Sequence, residues 1–125
     1  MKSAFLGKAK ANLAVAQYSL ANGFFDVSAS RAYYAAFQAA IAALAHHGIK
    51  NTKNAHKWVQ ATFNTELIKR RKIFSSKLRS YLLDMLSVRN DADYSQDALS
   101  KKEASQQLIK AEEMVAAITQ ELSHD

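Results

Sequence analysis

The chain has 125 residues, about half of them apolar, with no cysteine and no proline. Such a length fits one domain spanning residues 1–125, and the composition excludes a disulfide framework, thiolate chemistry, cysteine-ligated zinc and any membrane span of roughly 18 apolar residues. The net charge of +6 equals that of one acid-free segment, Lys69–Arg79 (KRRKIFSSKLR), a block that attracts phosphates or an acidic partner.

Lys2, Lys8 and Lys10 interrupt the apolar positions of the opening segment, which therefore does not read as a signal peptide; a cytoplasmic location is expected. Leu6, Ala9, Leu13, Ala16 and Leu20 recur at helical spacing, and Gly23 stands where a glycine ends a helix. Asp26 or Ser28 is expected to cap a second helix carrying Tyr33, Phe37, Ile41 and Leu44 and ending before Gly48. Nine of the seventeen residues from 29 to 45 are alanine, so neighbouring backbones can approach closely and this helix belongs at the centre.

Asn54 opens a shorter helix with Trp58, Val59 and Phe63. After the basic block, Ser75 or Ser76 starts a helix with Leu78, Leu82, Met85 and Leu86, which ends in RNDADY. Ser100 to Glu103 (SKKE) is a capping box, and Leu108, Ala111, Val115, Ile118 and Leu122 form one stripe behind it. Strand-type alternation is absent. The expectation is all-α: an up-and-down bundle of about five helices.

The usual cofactor and nucleophile signatures are missing: GxGxxG, the Walker loop, HExxH and GxSxG. His46 and His47 are adjacent, so on a helix they diverge by about 100° and suit a C-terminal capping role better than one metal. No metal site and no cofactor are expected. His56 sits in the first turn of its helix, which depresses a histidine's proton affinity and suits a neutral acceptor. Arg31 lies in the most apolar helix, where an arginine needs a carboxylate or phosphate; either Asp91 or Asp93 pairs with it, or it holds a ligand. Arg89 and Asp93 are an i,i+4 pair if the helix continues that far. Asp91 and Asp93 alone are too few for a metal.

SRAYYAAFQAAIAAL (30–44), then AHKWV, then RNDADY (89–94) resemble, in order and spacing, the small stand-alone HEPN domains of bacteria and archaea, and the likeness spans nearly the whole chain. The resemblance implies an α-helical bundle that forms a homodimer, with polar residues of the fourth helix facing a cleft between the subunits. Many members of that family are metal-independent ribonucleases whose signature is an arginine, a polar residue, and a histidine four to six residues further on. Arg89 matches the arginine and Asn90 the polar residue, whereas Tyr94 stands in the histidine's place. A phenol with a pKa of about 10 is a poor base beside an imidazole.

The candidate catalytic residues are accordingly Arg89, Asn90, Asp93 and Tyr94. The candidate substrate-binding residues are Arg31, Tyr34, His56, Arg70, Arg71 and Lys72. The resemblance further implies RNA or a nucleotide as ligand, no DNA and no membrane partner, and a toxin–antitoxin setting. There, a minimal nucleotidyltransferase neutralises its HEPN partner by binding it or by adenylylating a tyrosine, here Tyr94. Two other readings stand beside the ribonuclease: an inactive nucleotide- or RNA-binding partner of such a transferase, and a purely structural helical partner.

Overall fold

The computed structural model describes residues 2–50 and 56–123. Five α-helices and no strand occur among the described residues: α1 (Lys2–Ala21), α2 (Phe25–His46), α3 (His56–Thr62), α4 (Tyr81–Tyr94) and α5 (Lys101–Leu122). The fold is all-α, as expected. The helix start expected at Asn54 lies outside the described residues.

The first two helices end in the same way. Gly23 (φ +83°) and Gly48 (φ +77°) adopt the left-handed conformation that glycine reaches without a steric penalty. The residue after each glycine then reaches back to satisfy an open carbonyl: Phe24 N–H donates to Ser19 O (2.8 Å), and Ile49 N–H to Leu44 O (2.9 Å). The start of α2 departs from expectation. Neither Asp26 nor Ser28 caps it; Phe24 occupies the N-cap position without a side-chain bond. Both polar residues fall inside the first turn, past the capping position, and turn to neighbouring segments instead. Asp26 Oδ1 accepts from Leu99 N–H (2.8 Å), and the buried Ser28 Oγ donates to Ala16 O (2.8 Å).

Side-chain pairs fix the helix directions. Lys2 meets His46, Asn12 meets Gln38 and Ser28 meets Ala16, so α1 and α2 are antiparallel. Asp26 meets Leu99 near one end of α2 and His47 meets Glu121 at the other, so α2 and α5 run parallel. Tyr81 meets Glu113 and Asp84 meets Lys110, so α4 opposes α5. The four long helices therefore run up, down, up and down.

The crossover between α2 and α4 holds what the sequence did not announce. α3 continues into a π-helix, Phe63–Arg70, and a 3₁₀ turn, Ser76–Ser80, leads into α4. His56 packs on Phe37 near the middle of α2, whereas Arg71 Nη1 donates to His47 O at its end (3.2 Å), so this segment descends alongside α2. The wider π turn projects Phe63, Leu67 and Ile68 into the core while leaving Lys69 and Arg70 outside. Ser75 Oγ accepts from Lys77 N–H (3.2 Å) and opens the 3₁₀ turn. Ser100 and Glu103 form the expected capping box at the start of α5.

The alanines of α2 explain its central place. Ala32, Ala35, Ala36, Ala39, Ala40 and Ala43 are fully buried, and α1, α4 and α5 all pack on this helix. Larger groups fill the space between elements, among them Leu44, Phe63, Leu67, Met85, Met114 and Ile118. Each such side chain contributes roughly 1.5–3 kcal/mol when fully buried. The same packing sets the site, because antiparallel α4 brings Arg89 over Tyr34 while the start of α3 brings His56 beside Tyr33.

Candidate functional site

Near the middle of α2, consecutive tyrosines divide the work between core and surface. Tyr33 is fully buried, stacks with Phe37 (centroids 5.8 Å apart), and meets the Tyr34 ring edge-on at 5.5 Å. Tyr34 is partly buried and carries two arginines. The guanidinium carbon of Arg89 lies 5.0 Å from its ring centroid, and that of Arg31 lies 5.1 Å away. Both distances are within cation–π reach, so one aromatic ring holds two like charges close together.

The counter-charge is close but imperfectly aligned. Asp93 Oδ2 lies 3.2 Å from Arg89 Nε, the i,i+4 pair expected from the sequence. That N–H is nevertheless buried without a hydrogen bond: the carboxylate is near enough to lower the electrostatic energy but is not aligned with the donor. Arg31 is half-buried and pairs with neither aspartate. Its Nη1 donates to Asn12 Oδ1 (3.3 Å), and Asp93 only shares with it the wall of a shallow cavity. Asp91 is exposed. Asp26 and Asp93 both line the shallow cavity beside Arg31, so the local charge is close to balanced. What suits an oxyanion is the geometry, two guanidiniums drawn to one ring.

His56 completes the cluster. Its ring lies 4.7 Å from Phe37 and 6.3 Å from Tyr34, and its Nδ1 is 2.5 Å from the Tyr33 hydroxyl. Burial lowers the histidine's proton affinity, and the charge of Arg89 lowers it further. Burial also holds the Tyr33 phenol well above its ordinary range, partly offset by Arg89. Both groups are therefore neutral at pH 7. A phenol can donate to a bare Nδ1 or accept from Nδ1–H, so Tyr33 supports either tautomer and leaves Nε2 for other work. His56 also lines an open cleft of about 390 Å³ with Lys57, Gln60, Leu83 and Leu86. The direction of the histidine's shift is the one read from the sequence, but its causes are burial and an arginine rather than the helix dipole.

The structure thus brings Arg31, Tyr34, His56, Arg89 and Asp93 together. Asn90 is exposed beside them, and Tyr94 ends α4 with 80% of its surface accessible and no partner in the cluster. Arg70, Arg71 and Lys72 lie elsewhere, at the His47 end of α2, which is about 20 Å along the helix from Tyr34. Arg70 and Arg71 both face Glu66 (3.2 and 3.8 Å). Tyr33 and Asn12 are neighbours of the cluster that sequence reasoning did not single out. Asn12 was detectable as a polar residue within the apolar stripe of the first helix.

One expectation is corrected. His46 and His47 do not diverge: α2 ends between them, the rings meet edge-on at 4.9 Å, and with Glu121 they bring three ligand atoms within 4.8 Å of one another. This is the one group among the described residues with metal-ligand spacing. The surroundings oppose a dication, since Lys2 Nζ sits 2.9 Å from His46 Nδ1 and Arg71 adds its charge nearby.

The family model described as HEPN domain matches residues 3–122. The chain belongs to the HEPN family. No curated protein matches it. In this HEPN chain the bundle, the central alanine helix and the arginine on α4 are parts of one fold, and no described helix is long and apolar enough to cross a membrane.

Proposed function

We propose that this HEPN protein is a metal-independent endoribonuclease, the toxin of a toxin–antitoxin pair, acting at a cleft completed by a second copy of the chain. The observation that carries this reading is the pairing of two guanidiniums on Tyr34 with a neutral, partly buried histidine in one cluster. Cleavage needs a scissile phosphate held by cations while a base takes the 2′-OH proton and an acid returns one to the departing 5′-oxygen. The 2′-oxygen bonds to phosphorus as the P–O5′ bond breaks, leaving a cyclic phosphate. Arg89 and Arg31 bind the phosphate oxygens and stabilise the pentavalent charge. His56 exchanges the proton through Nε2, held in orientation by Tyr33.

This assignment moves acid–base work from Tyr94 to His56. Leu83 and Leu86 line the His56 cleft and Leu83 is exposed, an apolar patch beside the polar cluster that a second copy would cover. The test is cleavage of RNA in EDTA by wild type, His56→Ala and Tyr94→Phe, all shown to be folded. Activity that survives Tyr94→Phe and disappears with His56→Ala supports the assignment; the reverse pattern returns the chemistry to the phenol, and an inert wild-type dimer overturns the ribonuclease.

The high exposure of Tyr94 favours one second reading, in which the chain is a nucleotide- or RNA-binding partner whose phenol is open to adenylylation by a minimal nucleotidyltransferase. Intact mass after co-expression with that transferase checks it, and an unmodified Tyr94 counts against it.

A further inference from the structure

We propose that the crossover between α3 and α4 forms a second anion site, shaped for the phosphates of a nucleotide, free or within an RNA strand, and separate from the Arg89 cluster. The six cations of segment 69–79 divide into two sets. Arg70 and Arg71 face Glu66, and Lys77 faces Glu113. Lys69, Lys72 and Arg79 have no ion pair among the described residues, and all three line one cavity of about 580 Å³ whose lining contains no acid. Its volume lies within the range of small-ligand pockets.

The walls are built rather than incidental. Asn64 on the π-helix donates through Nδ2 to Arg79 O (2.9 Å), which ties the π-helix to the 3₁₀ turn across the cavity. Ile68 and Phe74 supply an apolar floor, and Phe74 is fixed from behind by stacking on Phe63 (5.3 Å). Lys72 is the one non-glycine residue with positive φ (+53°) among those described. It occupies the turn that ends the π-helix, where glycine would be easier, and the next amide, Ile73 N–H, donates back to Leu67 O (2.8 Å). Strain of this kind persists only where the surrounding structure holds it, here the bond from Ile73 N–H to Leu67 O. Three uncompensated cations with neighbouring amide and hydroxyl donors match a ligand with two or more phosphate charges, and the apolar floor matches a base.

Titration of the ¹⁵N-labelled protein with ADP, with inorganic pyrophosphate and with a short labelled single-stranded RNA tests this. Saturable shifts of amides between residues 64 and 79 are expected. Lys69→Gln with Arg79→Gln should weaken ADP at least about tenfold, since charge-assisted bonds are lost, while Arg70→Gln leaves affinity unchanged. Lys72→Gly should weaken binding and at the same time raise the Tm, because it removes the charge and relieves the backbone together. Competition between ADP and RNA marks a strand track; ADP binding without competition marks a free-nucleotide site. No saturable shift, shifts confined to Arg31 and Arg89, or an Arg70→Gln loss equal to the double substitution overturns the proposal. Arg89→Ala leaves this binding intact, so failure of the ribonuclease reading is distinguishable from failure here.

Discussion

Arg89 is the residue on which most of the cluster turns: it lies over Tyr34, sits beside Asp93, and lowers the proton affinity of His56. Because burial is the larger cause of the His56 shift, removing the arginine's charge recovers only part of it. NMR titration should find the His56 imidazole below its ordinary 6.5 in wild type and higher, yet still below 6.5, in Arg89→Gln. An unchanged midpoint would separate the two residues electrostatically. The linkage has a definite sign. As pH falls below 6.5 the unfolded chain takes up a proton that the folded histidine resists, so His56 makes the fold less stable toward acid. At this scale the sequence was informative in type and incomplete in geometry. The i,i+4 pairing of Arg89 with Asp93 follows from helical spacing alone, whereas the meeting of Arg31 with Asn12, and of His56 with Tyr33, depends on how three helices cross.

Helix ends show the same contrast between local and tertiary signals. The Ser100–Glu103 box was legible because both bonds lie within four residues: Ser100 Oγ accepts from Glu103 N–H (3.1 Å), and Glu103 accepts from Ser100 N–H (3.0 Å). At α2 the equivalent reading failed, since Asp26 and Ser28 find partners on other segments that no local pattern encodes. The crossover failed differently. Its apolar residues, Phe63, Leu67 and Ile68, look like ordinary helical spacing, and nothing local distinguishes a π turn from an α turn. Ser100→Ala should cost about 1 kcal/mol of unfolding free energy. Ser28→Ala removes a buried donor from Ala16 O and should cost a similar amount, with no effect on the start of α2. Urea denaturation of the two variants checks both, and a Ser100→Ala chain as stable as wild type would show that packing alone holds α5.

Across the whole molecule, alanine content made the central helix legible and short connections made the antiparallel α1–α2 and α4–α5 pairs legible, whereas the long crossover, which runs parallel to α2, was not. The bond that best reports this assembly joins α4 to α5. Tyr81 keeps its ring in the core while its hydroxyl donates to Glu113 at the rim, where Lys77 also reaches the carboxylate (3.3 Å). The hydrogen bond to Glu113, followed by burial, pushes the phenol up to about 12 from 10. Between those values the folded chain holds a proton that the unfolded chain has released, so stability falls as pH rises through the window. Glu113 is held below its usual range by the same phenol first and by Lys77 second, so its contribution is present above about pH 4.5 and lost on further acidification. Replacing Tyr81 with Phe removes the shared bond. Its stability curve should be flatter than wild type at both extremes, between pH 10 and 12 and again below pH 4.5. Thermal melts across that range, compared with wild type, are the measurement. If the two curves stay parallel above pH 10, the phenol does not hold its proton in the folded state, and α4 is secured to α5 by its apolar face alone.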